Sequence, residues 1–424
     1  DVIILDVFNT LGMPTSTTVS LVFELLGGAF ILATLKMYGD DSLNYGVLLN
    51  SNKALEVIMG IFSSVIIAFV FGAFVMWLSR IVFTFNYRKH SRYSIAIFGG
   101  IAFTALSYFI FMKGLGKSPY LPAEWRNYID QNLGLLLCIT FVGSAIVMEF
   151  LHLCRINIFK FTVLMGTFAL AMAFAGNDLV NFIGVPLAGL SSYQDYMANG
   201  NGATPDQFMM TSLMDSAKTT PVYLLAAGAV MIIAMATSKK AQNVIKTSVD
   251  LSRQDEGDEM FGSSSAARVI VRNCQATDSW LKQFLPKSLM NWINSRFDKN
   301  DVELEESAAF DVVRAAVNLV LASMLITIGT NLKLPLSTTY VTFMVAMGSS
   351  LADRAWSRES AVFRVTGVLS VIGGWFITAG VAFAACGIVC IIMHFGGVGI
   401  QTCFMALVIF LLIRSNIQYN KKAK

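Results

Sequence analysis

Charge is scarce in this chain. Only 14% of its 424 residues are Asp, Glu, Lys or Arg, against 55% apolar residues and a mean hydropathy of +0.63. That balance excludes a soluble domain and points to an all-α polytopic membrane protein. The net charge of +4 is too small to argue for a nucleic-acid partner. The basic residues gather instead at the ends of apolar runs, as at Arg80, Arg88, Lys89 and Arg92 and at Lys421, Lys422 and Lys424, where they set topology. Histidine is nearly missing: His90, His152 and His394 sit at run edges and form neither a catalytic nor a metal set. The six cysteines (Cys138, Cys154, Cys274, Cys386, Cys390, Cys403) include no CxxC pair and fall mostly within apolar runs, so neither a disulfide nor zinc is expected. Nothing at Asp1 resembles an initiator Met or a signal peptide, and the natural chain is expected to begin earlier.

What is abundant is apolar sequence long enough to cross a bilayer, or nearly so, at 15–37, 54–79, 93–113, 131–151, 158–190, 219–238, 306–330, 335–352, 361–391 and 394–413. The three Arg and one Lys of 80–92 place that loop in the cytoplasm. Alternation then puts 114–130 outside, 152–157 inside, 191–218 outside, and 239–305 and the C-terminal tail inside. Residues 239–305 form the only long polar stretch, a cytoplasmic linker between membrane regions 1–238 and 306–424. Within it, Trp280 to Leu285 and Leu289 to Ile293 suit short interfacial helices or a loop packed on the membrane face.

A short phrase occurs twice. Met13-Pro14-Thr15-Ser16-Thr17-Thr18 and Leu334-Pro335-Leu336-Ser337-Thr338-Thr339 each lead into an apolar run, with Pro14 and Pro335 separated by 321 positions and Gly27 and Gly348 matching at the same displacement. A helix opening with Pro then Ser-Thr-Thr offers unpaired N–H groups and hydroxyls to an anion. Ser and Thr also cap helices and bond between membrane helices, which is the structural alternative. If 158–190 and 335–352 each cross once, the run after Thr339 is the seventh crossing beyond the run after Thr18, so the two copies point in opposite directions. That is the mark of an inverted repeat whose broken helices, near Gly12, Pro14 and Pro335, meet at mid-depth.

The second signal is Gly176-Asn177-Asp178 with Asn181, inside an apolar segment. A carboxylate at depth needs a protein-lined or watery site and a partner cation. Asp178 and Asn181 share a helical face, while Gly176 and Gly184-Val185-Pro186 allow unwinding that frees carbonyls for a hard cation. The alternative is that the amides only hold helices together.

These residues resemble those of the PiT family of inorganic phosphate transporters, whose members carry Gly-Asn-Asp with a following Asn, and Pro-x-Ser-Thr-Thr, once per inverted half. The likeness covers most of the membrane region. It implies that Ser16, Thr17, Thr18, Asp178, Asn181, Ser337, Thr338 and Thr339 surround phosphate, with sodium held by Asn177 and Asp178, and that the chain forms a homodimer. The first-half Gly-Asn-Asp is absent and is expected upstream of Asp1. The His that often follows Ser-Thr-Thr is Val19 in one copy and Tyr340 in the other.

The expected function is therefore secondary symport of phosphate with sodium across the cell (inner) membrane, by rocking of inverted halves and without catalysis. Proton coupling, a metal-phosphate cargo and sulfate are alternatives on the same fold, and an ion channel or membrane sensor is the alternative of a different class. Among other polar residues, Glu24 is expected to line the pathway, bind a coupling ion or pair with Lys36. Asp311 and Arg314 are expected to pair along one helix, and Lys333 to attract anions or snorkel to an interface. Gly373, Gly374 and Gly380 are expected to pack helices closely.

Overall fold

Apolar runs with no water to satisfy their backbone must close their hydrogen bonds internally, and helices follow. The computed structural model describes residues 1–11, 15–38, 42–87, 92–110, 122–204, 207–211, 220–237, 249, 251–252, 262–284, 286–298, 308–334, 336–354 and 360–422. Among these, every regular element is a helix: α1 (Val2–Thr10), α2 (Thr17–Tyr38), the single turn α3 (Tyr45–Leu48), α4 (Ser51–Phe83), α5 (Arg92–Ser107), α6 (Ala123–Gln131), α7 (Leu133–Leu153), α8 (Ile158–Phe174), a π-helical turn (Ala175–Leu179), α9 (Val180–Asn199), α10 (Pro221–Thr237), α11 (Ser265–Phe284), α12 (Lys287–Arg296), α13 (Val312–Asn331), α14 (Thr338–Ala352) and α15 (Ser360–Lys422). Among the described residues, seven helical stretches are long and apolar enough to cross a membrane. The chain is an all-α polytopic membrane protein.

Caps fix several starts. The Asn50 side chain accepts the Lys53 N–H, and that of Asn157 accepts those of Phe159 and Lys160, satisfying donors that a helix leaves open. α15 breaks at Gly397, whose φ of 61° only glycine takes up readily, close to the expected gap between 391 and 394. Gly12, Pro14 and Pro335, expected at broken helices, lie outside the described residues. Their flanks do break: α1 ends at Thr10 before α2 starts at Thr17, and α13 ends at Asn331 before α14 starts at Thr338.

Two helix pairs dominate the packing around the duplicated phrases: α2 on α15, and α14 on α4. A methyl group on Gly27 would lie 2.2 Å from the Phe383 carbonyl oxygen, and one on Gly348 would lie 2.2 Å from that of Phe69. Each pair thus meets backbone to backbone, as small residues permit in membranes. Both pairs run parallel. Contacts on α4 advance from Gly60–Leu334 through Gly72–Val345 to Arg80–Asp353. On α15 they advance from Thr15–Thr378 through Gly27–Phe383 to Ile31–Gly387. Tyr340 stacks on Trp375 with ring centroids 3.7 Å apart, and with Phe343 and Met344 forms the core between the pairs. A second core, around Phe83, Phe98 and Phe159, seals α4 against α5 and α8.

Three expectations change. Residues 158–199 form one continuous helical path, which at 1.5 Å per residue is about 63 Å long against roughly 30 Å of hydrocarbon. The helix therefore extends well into the stretch read as an outer loop from 191. Gly184-Val185-Pro186 does not unwind; Pro186 sits inside α9, and the irregularity falls earlier, at the π turn. Asp311 does not pair with Arg314. It stands just before α13 without a capping hydrogen bond from its side chain, and both its oxygens bind Arg80, 231 positions away, at 3.0 and 2.9 Å. From the linker, Arg296 of α12 donates to the Ile81 and Val82 carbonyls at 2.7 and 2.8 Å, satisfying the last turn of α4. The side chains of 277–285 lie outside the described set.

Candidate functional site

The π turn Ala175–Leu179 joins α8 to α9 and carries Gly176, Asn177 and Asp178. Such a turn holds one residue more than the α ladder needs and is found most often at functional positions. Here it aims a carboxylate at the first turns of α2 and α14.

Asp178 collects hydroxyls from both. Its Oδ1 accepts from Thr18 at 3.2 Å, from Thr17 at 3.4 Å and from the Asn177 amide at 3.4 Å, and its Oδ2 accepts from Thr338. A half-buried carboxylate needs such donors, since an unpaired buried charge is costly. The two amides complete the frame. Asn177 Nδ2 donates to the Leu336 carbonyl at 2.8 Å, tying the π turn to the strand of chain that leads into α14. Asn181 Nδ2 donates to Asn177 Oδ1 at 3.2 Å and to Thr18 Oγ1 at 3.4 Å. The amides therefore hold helices together and also face the carboxylate.

The serines play a different part. Ser16 Oγ accepts the Val19 N–H at 3.2 Å, and Ser337 Oγ accepts the Tyr340 N–H at 3.1 Å, so each caps its own helix in the same way. Thr339 is half-buried; its carbonyl accepts the Thr342 hydroxyl at 3.0 Å, and among the described residues no hydrogen bond from its side chain reaches Asp178. Of the residues expected around an anion, the structure brings Thr17, Thr18 and Thr338 to the carboxylate and Asn181 to Thr18 beside it, and Asn177, expected on sodium, also donates to Asp178. Ser16 and Ser337 serve the helices, and Thr339 lies just beyond.

Two partners were not singled out from sequence. Thr15 donates to Thr378 at 3.0 Å, and Thr378 in turn donates to the Gly374 carbonyl at 2.8 Å, fixing the lead-in of α2 on α15. A lone Thr four residues after a Gly-Gly pair was the available signal.

An apolar cavity of about 470 Å³ lies close by, walled by Val19, Phe23, Ile61, Tyr340, Trp375 and Phe376. Its walls offer almost nothing to a charged group, so the polar knot at Asp178 is the candidate site for one. That knot supplies one carboxylate, amide and hydroxyl oxygens, and two helix N-termini, each worth about half a positive charge. Among the described residues no group of three or more His, Cys, Asp or Glu side chains is placed to hold a metal. The oxygen set suits a hard cation of low charge beside an oxyanion.

A model of the phosphate transporter family matches residues 2–248, more than half of the chain, a span that contains the first Ser-Thr-Thr phrase and the whole Gly-Asn-Asp turn. No curated protein and no solved structure matches the chain.

Proposed function

The chain belongs to the phosphate transporter family, and from that membership and the site's chemistry we propose that it carries inorganic phosphate across the cell membrane by sodium-coupled symport. The observation that carries the reading is the Asp178 carboxylate, which takes hydroxyls from the first turns of two different helices at once.

Charge supplies the coupling. A carboxylate and a monobasic phosphate 4 Å apart repel by about 4 kcal/mol at an effective dielectric of 20, which weakens binding roughly a thousandfold. The N-termini of α2 and α14 together offset about one charge, leaving that of the phosphate itself. A sodium ion held by Asp178 and the Asn177 carbonyl oxygen removes the conflict, so ion and anion each need the other. On its arrival Thr17, Thr18 and Thr338 are released from the carboxylate to donate to phosphate, with Asn181 and Thr339 alongside. Ser16 and Ser337 keep the two helix ends open by capping them.

An inverted repeat supports alternating access. α14 runs from Asp178 towards the end of α4 and finishes at Asp353 beside Arg80. α15 starts at Ser360, close in sequence, and climbs back to meet Thr15 at Thr378, with α2 parallel to it. α2 and α14 therefore leave the site in opposite directions, each packed by a matching glycine on the long helix that follows the other. The basic loop after α4 makes the Arg80 face cytoplasmic.

The test is uptake of labelled phosphate into proteoliposomes at clamped pH, with external sodium replaced by choline and with sulfate as competitor. Sodium-dependent accumulation that sulfate does not displace is expected. Uptake unchanged in choline would overturn sodium coupling in favour of protons, and displacement by equimolar sulfate would overturn the choice of anion.

A further inference from the structure

Far from the site, two buried arginines share two carboxylates very unequally. Arg80 and Arg314 are each 0% exposed. The Arg80 guanidinium has all five of its donors used: Nε and Nη2 bind the two oxygens of Asp353 at 2.5 and 2.8 Å, Nη2 and Nη1 bind those of Asp311 at 2.9 and 3.0 Å, and Nη1 also binds the Thr84 carbonyl at 2.8 Å. The Arg314 guanidinium has none of its nitrogens hydrogen-bonded among the described residues. It lies over the Phe310 ring at 4.6 Å, with Nε 3.9 Å from Asp353 Oδ2. Arg364, also buried nearby, has contacts of its own. A buried guanidinium without acceptors is rare and costly, and a native fold that keeps one needs a reason.

We infer that Asp353 hydrogen-bonds two arginines in turn, Arg80 in the state seen here and in another Arg314, which now holds it only by a 3.9 Å ion pair, and that this exchange moves α14 and so makes Arg314 a positioning residue for transport. If Asp353 passes to Arg314 while Arg80 keeps Asp311, each of these two guanidiniums has one carboxylate. The distance to close is small. Bringing 3.9 Å to a normal hydrogen bond takes a shift of about 1 Å, within the usual range for sliding helices.

α14 can transmit that shift. It carries Thr338 on Asp178 at one end and Asp353 at the other, 15 residues or about 22 Å apart. Its closest approach to α4 is through Gly72 and Gly348, which place no side-chain knob in the contact. Drawing the Thr338 hydroxyl away from Asp178 towards a bound anion moves the rod and offers Asp353 to Arg314. This rests on the proposed phosphate site.

The experiment compares equilibrium binding of labelled phosphate to the purified chain with uptake into proteoliposomes, for Arg314→Gln and Arg314→Lys. Arg314→Gln is expected to bind within about twofold of the unsubstituted chain while uptake falls about tenfold. Arg314→Lys, which keeps a cation near Asp353, is expected to restore most of that uptake. Normal uptake in Arg314→Gln, or no rescue by Lys, overturns the exchange. Should Arg314→Gln fail to accumulate, hydrogen exchange over 345–354 in the unsubstituted chain decides instead. A change in protection on adding phosphate is expected, and binding without such a change overturns the proposal alone. Failure of the unsubstituted chain to bind phosphate overturns the functional reading, and this inference with it.

Discussion

The two helices that open on Asp178 begin alike and are held differently. α2 and α14 share the serine cap, the threonine donors and a glycine pressed on a neighbouring carbonyl. Yet α14 has 10 of its 15 residues buried, whereas α2 has 6 of 22. α14 lies between α4 and α13 and ends in the Arg80–Asp353 pair, while α2 leans chiefly on α15 and leaves Leu25, Phe30 and Leu32 exposed. A common opening chemistry has thus been mounted once on a mostly buried, charge-anchored rod and once on a helix with an open flank. The site's two sides should respond unequally to the same change.

The largest effect is expected where both sides converge. Asp178→Ala should reduce phosphate uptake about 100-fold or more, the equivalent of roughly 3 kcal/mol, with normal amounts of protein in the membrane by immunoblot; retained transport would remove the carboxylate from its role. Next comes the matched glycine pair. Gly348→Ala drives a methyl into a backbone walled in on both sides and should cost about 3 kcal/mol in detergent unfolding, whereas Gly27→Ala, on the helix free to lean outward, should cost about 1 kcal/mol. Equal losses would break the contrast between rod and flank.

The threonines sharpen it further. Thr338 is the one hydroxyl on Oδ2 among the described residues, while Oδ1 has Thr17, Thr18 and Asn177. Thr338→Ala should raise the KM for phosphate about tenfold and Thr18→Ala only about threefold, because Thr17 remains beside Oδ1 to donate in place of Thr18. The smallest effect on transport belongs to the caps. Ser16→Ala and Ser337→Ala should each lower stability by about 1 kcal/mol and leave the phosphate KM within about twofold. A collapse of affinity in either would place that hydroxyl on the anion.

Much of this was legible in the residues because membranes leave little choice. Apolar length predicts the crossing helices, and an Asp beside Asn and Gly in an apolar run stands out because lipid penalises it. The pairing of two distant Ser-Thr-Thr phrases at one displacement also survives into shared packing. What the residues did not disclose was which hydroxyl turns inward: cap and ligand use the same side chains, and only backbone geometry separates Ser16 from Thr18. Asp311 illustrates the other blind spot. Helical spacing favours Arg314, three positions on, but tertiary packing delivers Arg80 from another helix, and Asp353 carried no sequence signal at all. The span 335–352 reads equally as a crossing or a re-entrant stretch, and α14 is only 15 residues long and starts at the carboxylate.

The π turn has a consequence of its own for anyone redesigning the chain. Deleting one residue within 175–179 would let the ladder from Ile158 to Asn199 close regularly and would rotate everything beyond it by about 100°. The trimmed helix should melt later, having lost its irregular step, and should be inert, since the acid would swing out of reach of one or both threonine sets. Robustness and activity would part company at a single codon.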